Sequence, residues 1–253
     1  MCYFCNINKQ NNQRQTSMKN VFKTITPILL IVMSFAIGCT KTDGPSNDGS
    51  NSGILNGHEY VDLGLPSGTL WATCNMGSNS PKEIGNYFAW GETRSKTNYE
   101  WVSYQYCNGD LSRLTKYCNN VLYGDNGFVD GLTTLEQSDD AASSNWGDDW
   151  HVPSKAEWEE LFDYCTTEWS TCNGVNGRLF TSSNGESIFL PASGYFRGDS
   201  IYGKDVCGYY WSKSLDMDNP SVAGDCYFDL VNVGINVFYR YYGLPIRPVY
   251  SNN

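Results

Sequence analysis

The stretch DDAASSNWGDDWHVPSKAEWEELFDYC, residues 139–165, decides how the rest of the chain is read. Ser154 stands where a helix N-cap is wanted, and Glu157 three residues later completes a capping box. Ala156, Trp158, Leu161, Phe162 and Cys165 then recur on one helical face. A second, shorter helix is expected over Asp139 to Ser144. Outward from these two helices the pattern changes from the helical period to the period of two. Upstream, EYVDLGLPSGTLWATCNMG (59–77) reads as a hairpin turning at Pro66-Ser67-Gly68. GNYFAWGE (85–92) reads as a further aromatic strand or sheet edge, and residues 93–138 show no period. Downstream, strands are expected from residue 176. GRLFTSSNGESIFLPAS carries Asn184-Gly185 between two apolar runs, and GYYWSKS (208–214), CYFDLVNV (226–233) and GLPIRPVY (243–250) follow. Strands at both ends and helices in the middle make an α+β domain with antiparallel sheets, whose first and last strands are free to pair.

Residues 1–38 stand apart from this body. Lys19 and Lys23 precede an apolar run from Ile25 to Ile37, too short to span a bilayer, and Gly38 leads into Cys39. Residues 18–38 therefore read as a signal peptide ending in a bacterial lipobox, FAIGC, with Cys39 the lipidated residue. Ala36 stands at position −3, where leucine is more usual. Met18 precedes the basic region, so residues 1–17 read as a mis-called start that leaves Cys2 and Cys5 without a role. After Cys39 a polar Gly/Ser/Asn/Asp segment forms a tether over residues 39–54. The globular part is expected over 55–250, long enough for one core. This places the protein on a lipid anchor at the outer membrane or cell surface of a Gram-negative bacterium.

After Cys39 there are 27 acidic residues against 13 basic ones, a net charge of −14 with no basic stripe. That argues against nucleic acid as a partner. Seven cysteines lie in the body, an odd number without a CxxC pair, which argues against zinc knuckles and thioredoxin-like chemistry. Two histidines, His58 and His151, are all that acid–base catalysis could draw on. Asp139, Asp140, Asp148 and Asp149 form an oxygen-rich cluster of the kind calcium prefers, and helix capping accounts for them equally well. No cofactor is otherwise indicated.

Several stretches, taken together and in order, resemble the Fibrobacter succinogenes major paralogous domain family: YVDLGLPSGTLWATCNMG, YFAWGET, DDAASSNWGDDWHVPSKAEWEEL, IFLPASGY, GYYWSKS and YGLPIRPV. The resemblance covers nearly the whole body. It implies a C-type-lectin-like single domain, related to the fold of formylglycine-generating enzymes and of the variable proteins of diversity-generating retroelements. It implies nothing about catalysis. Two departures are visible: His151 stands where the family motif has Arg after Trp, and GINVFY (234–239) is more apolar than the Asn-rich run expected there. The paired redox cysteines of the oxidase relatives would have to be Cys207 and Cys226, and nothing around either resembles that motif.

Composition sharpens the last segment. Lys, Glu, Gln, Met and Trp make up 38 of the 253 residues, yet none occurs from Asp218 to Asn253, where about five would fall if usage were even. Codons ending in a pyrimidine encode none of these five. Adenine mutagenesis of AAC-type codons, the retroelement mechanism, yields the residues that are present. A C-terminal segment with ordinary β composition accounts for the same absence. Tyr and Asn in a Gly-rich context are also the chemistry of binding surfaces. The ligand face is accordingly expected between GYYWS and GLPIRPV, from Asp216, Asp218, Asn219, Asp225, Tyr227, Asn232, Asn236, Phe238, Tyr239 and Tyr241, with a protein or glycan as partner. The sequence thus points to a non-enzymatic binding protein. Its alternatives are a structural or adhesive component of a surface assembly and, more weakly, an oxidase-like enzyme. Arg240 reads as structural within this segment, and Arg247 as an anchor to an acidic group.

Overall fold

The computed structural model describes residues 51–251. The signal segment, Cys39 and most of the tether lie outside these residues. The described chain runs β1 (Ser52–Leu55), β2 (His58–Val61), β3 (Leu70–Ala72), α1 (Ala141–Trp146), β4 (Trp150–His151), α2 (Lys155–Tyr164), β5 (Cys165–Cys172), β6 (Val175–Ser182), β7 (Ser187–Pro191), β8 (Tyr195–Arg197), β9 (Ser200–Tyr202), β10 (Gly208–Leu215), β11 (Val222–Phe228), β12 (Val233–Tyr239) and β13 (Val249–Tyr250). It is an α+β fold dominated by antiparallel sheets.

One sheet, in the order β1-β2-β3-β13-β4, joins the two ends of the body, because the last strand β13 inserts between β3 and β4. The two other larger sheets are β5-β6-β7 and β10-β11-β12, and β8-β9 is a two-stranded ribbon. Two apolar cores lie between them. One gathers Trp90, Tyr104, Tyr117, Trp150, Trp211 and Leu244. The other gathers Trp71, Trp158, Leu161, Phe180, Cys226 and Phe228 around α2.

Local chemistry explains the elements. Ser154 Oγ accepts from Glu157 N–H while Glu157 Oε2 accepts from Ser154 N–H, so the capping box is formed as the sequence implies. Burial alone would raise the Glu157 pKa, yet His151 beside it, at 2.8 Å, and the Ser154 donors hold it down to about 2. The first helix starts at Ala141, capped by the Asp140 carboxylate, which accepts from Ala142 and Ser143 N–H. The 59–77 hairpin and the Asn184-Gly185 hairpin both form.

Other expectations need correction. The body begins at Ser52 rather than residue 55, because Asn56-Gly57 makes a tight β1–β2 hairpin with positive φ at both residues (+51° and +82°). Residues 85–92 do not form a strand. They run beside residues 240–246, with one β-bridge at Phe88 and Leu244 and a further backbone bond from Trp90 N–H to the Arg240 carbonyl, and are tied in by Trp90 and Trp211 indoles that donate to the Ser212 and Phe88 carbonyls. Strands begin at Cys165, directly where α2 ends, rather than at 176. The segment 226–233 is not one strand. It turns at Leu230-Val231, where Asp229 Oδ1 accepts from both Val231 and Asn232 N–H. Within 243–250 only Val249–Tyr250 is a strand.

Two arginines lie at the centre, each 0% exposed. Arg247 donates to Asn75 Oδ1 and to the carbonyls of Ala72, Thr73 and Phe189 at 2.8–3.2 Å. The expected acidic partner is absent: the guanidinium is enclosed by carbonyl and amide oxygens, and burial lowers its pKa. Arg240 donates to the Tyr104 hydroxyl and to the carbonyls of Lys116, Tyr117 and Pro220, and stacks among Trp90, Tyr104 and Tyr117. A planar five-donor fork fits such a set of acceptors where an ammonium does not. Replacing Arg247 by Lys should lower the unfolding free energy by about 3 kcal/mol, because at least one buried carbonyl loses its donor and a buried charge loses part of its cage. Urea unfolding of residues 47–253, a compact unit with both cores inside it, measures this as a fall in midpoint at unchanged slope.

Candidate functional site

The sheet β10-β11-β12 has two unlike faces. Tyr210, Cys226 and Phe228 point into the core around α2. The opposite face is fixed by cross-strand register: Tyr209 lies opposite Tyr227, Trp211 opposite Asp225, Asp225 opposite Asn236, and Ala223 opposite Phe238. Tyr209, Tyr227, Asn236 and Phe238 are therefore side by side and only partly buried. Tyr209 packs on Tyr227 (5.1 Å between ring centroids) and edge-on to Phe238 (4.6 Å).

The β8–β9 ribbon extends this face. Tyr195 meets Phe238, Tyr242, Tyr209 and Tyr202 at 4.9–5.6 Å. The rings continue through Tyr242 and Tyr241 to Tyr239 and Trp101, with Tyr241 and Trp101 4.9 Å apart. The result is one aromatic ridge from Tyr227 to Trp101, several of its rings edge-to-face as aromatic pairs prefer. At its Trp101 end opens a cleft of about 280 Å³ lined by Glu100, Trp101, Val102, Arg197 and Tyr241. Arg197 is exposed, and the neighbouring Tyr242 and Tyr241 favour its charged form. Burial keeps the Tyr209 and Tyr241 hydroxyls protonated far above neutral pH, so they remain hydrogen-bond donors.

The expected site residues divide into groups. Tyr227, Asn236, Phe238 and Tyr239 belong to the ridge or its rim, whereas Tyr241 is buried in the core beneath it and reaches only the edge of the cleft. Tyr227 is held in place by donating to Asp229 Oδ2, and Asp229 is drawn down to about 2 against the upward pull of burial. Asp216, Asp218 and Asn219 form the β10–β11 turn, where the Asp216 and Asn219 side chains cap backbone N–H groups. Asn232 sits at the other end of β11, a strand about 23 Å long. There Arg178 grips the Asp229 and Asn232 carbonyls. Asp225 is not on the surface. It is 0% exposed, its Oδ1 accepts from Asn236 at 3.2 Å, and its Oδ2 has no hydrogen-bond partner.

Trp101, Tyr195, Arg197, Tyr202 and Tyr209 also build the ridge and its cleft, and the sequence reading did not single them out as site residues; Tyr242, expected on the binding face with Tyr239 and Tyr241, is buried beneath it. A signal for the ribbon exists: Gly198-Asp199 separates YFR from SIY, and Gly198 takes φ +62°, the conformation a two-residue hairpin with a leading glycine requires. Trp101 comes from an aperiodic stretch and carries no such signal.

The chemistry elsewhere is structural. Asp139 accepts from Lys116 and the Tyr117 hydroxyl, and Asp140 caps α1 and accepts from Val152 N–H. Asp148 and Asp149 are exposed beyond them. The proposed calcium cluster is thus split between capping and ion pairing, and among the described residues no three His, Cys, Asp or Glu side chains are placed to hold a metal. His58 stacks flat on Trp146 at 3.7 Å, and burial lowers its pKa. Cys226 is a fully buried thiol whose pKa burial pushes well up, and it faces the α2 core. Such a thiol is not a reactive one.

No known protein family, curated protein or solved structure matches this chain.

The buried carboxyl offers a direct test of the site's geometry. Desolvation raises the Asp225 pKa well above 3.8 and only Asn236 opposes it. An acid raised in the folded state contributes its stability in full below the unfolded pKa and loses it as pH rises through that value toward the folded one. Asp225→Asn, neutral at every pH, should therefore raise the melting temperature at pH 8, by about 2–4 °C per kcal/mol gained. The gain should shrink or vanish at pH 4. Melts at the two pH values read this directly.

Proposed function

We propose that this chain is a lipid-anchored binding protein of the outer membrane or cell surface. Cys39 is its lipidation site, and its body is a C-type-lectin-like domain that recognises a protein or glycan through the aromatic ridge. The observation that carries the reading is the ridge itself. Partly exposed rings from β8, β9, β10, β11 and β12, Tyr239 among them, are packed against one another and against the buried Tyr241 and Tyr242 in fixed orientations. Rings held by their neighbours lose little side-chain entropy on binding, so they offer contact area at low cost. Phenolic hydroxyls along it, and Arg197 with Glu100 at its cleft, add polar groups that orient a partner.

Two further points support the same assignment. The five residue types absent after Met217 include both long charged side chains, Lys and Glu, and their absence leaves a rim of Asp218, Asn232 and Tyr239 beside the aliphatic Leu230, Val231 and Val237. The diversified-surface reading places variation over residues 216–241. Within that segment Asp218, Leu230, Val231, Asn232, Val237 and Tyr239 are exposed, whereas Ala223, Asp225, Cys226, Phe228 and Arg240 are buried. Variation would then be tolerated at the first set and restricted at the second. The gene tests that directly: adenine-containing AAY-type ancestry at the exposed codons, with a template repeat and a reverse transcriptase nearby, is expected.

The binding assignment is tested on glycan and protein arrays with residues 47–253. Replacing Tyr227, Phe238 and Tyr239 together by Ala should abolish a captured ligand's signal, a loss of about 2 kcal/mol or more at ridge positions, while far-UV circular dichroism is unchanged. Full retention of that signal in the triple variant overturns the site. Absence of any ligand on either array favours the structural or adhesive alternative.

A further inference from the structure

The edges of the β10-β11-β12 sheet are treated differently. On the β10 side the outward backbone groups are occupied: Trp211 N–H donates to Pro245, Lys213 to Pro153 and Leu215 to Thr133. On the β12 side they are not. The two ends of the β11–β12 ladder fix which groups face out. Asp229 N–H donates to the Asn232 carbonyl, and Arg240 N–H to the Ser221 carbonyl. Counting in twos between these ends, Gly234, Asn236 and Phe238 bond to β11. Val233, Ile235 and Val237 therefore aim both N–H and C=O away from the sheet, and among the described residues none of these groups has a hydrogen-bond partner.

An open edge of this length is normally blunted by a charge, a proline or a bulge. β5, the outer strand of its own sheet, carries Glu168. β12 reads VGINVFY and has neither charge nor proline, and its seven residues pair with β11 without a register shift. Its outward residues are also symmetric in kind. Val233 and Val237 flank Ile235, all β-branched, the side chains that pack best on a pleated surface. Val237 is 44% exposed.

We propose that β12 is a self-association edge: a second copy of this chain pairs with it antiparallel about a two-fold axis through Ile235. Ile235 then faces Ile235 of the other copy, and Val233 faces Val237 in both directions. These are hydrogen-bonded pairs, each exchanging two N–H···O=C bonds. The same residues serve both partners, as an isologous interface requires. The three-stranded sheets merge into one of six strands, with no charged residue brought face to face between the two β12 strands. In antiparallel pairing the equivalent faces lie on the same side. The two aromatic ridges are thereby presented together, and a multivalent partner meets both at once. Val233 and Ile235 also rest on the core around α2, and Val237, which neither that core nor the aromatic ridge takes up, acquires a role in this way.

Sedimentation velocity of residues 47–253 between about 1 µM and about 1 mM tests the edge independently of any ligand. A monomer–dimer equilibrium is expected. Val237→Lys, at an exposed position, should weaken it by about tenfold or more, since each copy then sets an ammonium against the edge. Val237→Pro removes an outward N–H and leaves the β11 ladder intact, and should do the same. Val237→Thr, β-branched and uncharged, should retain the dimer. Unchanged circular dichroism in the Lys variant separates loss of pairing from loss of fold. A monomer at every concentration overturns the proposal, and so does a dimer that Val237→Lys and Val237→Pro leave untouched.

Discussion

Two guanidinium groups without carboxylate partners hold this molecule together. Arg247 gathers the carbonyls of Ala72, Thr73 and Phe189 and the Asn75 side chain, and so joins the sheet of the chain ends to the end of β7. Arg240 gathers the carbonyls of Lys116, Tyr117 and Pro220 and the Tyr104 hydroxyl, and so fastens the long aperiodic segment to the β10–β11 turn. An isolated buried charge would be prohibitive in an apolar core. Here carbonyl dipoles replace the water each arginine gives up, and aromatic faces enclose Arg240 as well. Arg240 also satisfies the Lys116 and Tyr117 carbonyls, which lie in the stretch 93–138 where short 3-10 turns and loops supply no sheet partners.

The aromatic ridge depends on this framework. Arg240 sits between Tyr239, which is exposed, and Tyr241 and Tyr242, which are buried, so the residue that anchors the chain inward stands where the segment passes from surface to core. Gly243 then closes against Phe196 through paired backbone bonds, which brings the β8–β9 ribbon alongside β12. The ridge is thus assembled from segments distant in sequence but fixed by backbone pairing. Asp225 lies beneath it with one oxygen unpartnered, the least satisfied polar group of the face.

Part of this was legible in the chain. The capping box at Ser154 and Glu157 and the Asn184-Gly185 hairpin follow from local rules and were met; the two ends of the body do share one sheet, but the last strand β13 lies between β3 and β4 and not beside the first strand β1. Asn56-Gly57 and Gly198-Asp199 are equally strong hairpin signals. They were overlooked because one borders a polar tether and the other joins strands of only three residues. The break at Leu230-Val231 carried no glycine or proline. It depends on the Asp229 side chain and on Arg178 reaching across from β6, and a distant residue leaves no local trace. Residues 85–92 have strand composition but pair through side chains, a single bridge and one further backbone bond from Trp90 to Arg240, so propensity misled. For the site, Tyr- and Asn-rich composition pointed to Tyr227 and Phe238 but could not bury Asp225, whose 0% exposure depends on tertiary packing that composition does not encode.

The central claim is that carbonyl-caged arginines form the framework. Arginine-selective nitrogen-15 NMR after transfer into heavy water tests it most directly. The Nε–H protons of Arg240 and Arg247, enclosed and hydrogen-bonded, should persist long after those of exposed Arg94 and Arg197 have exchanged. Exchange of all four at the rate of the exposed pair would contradict the account.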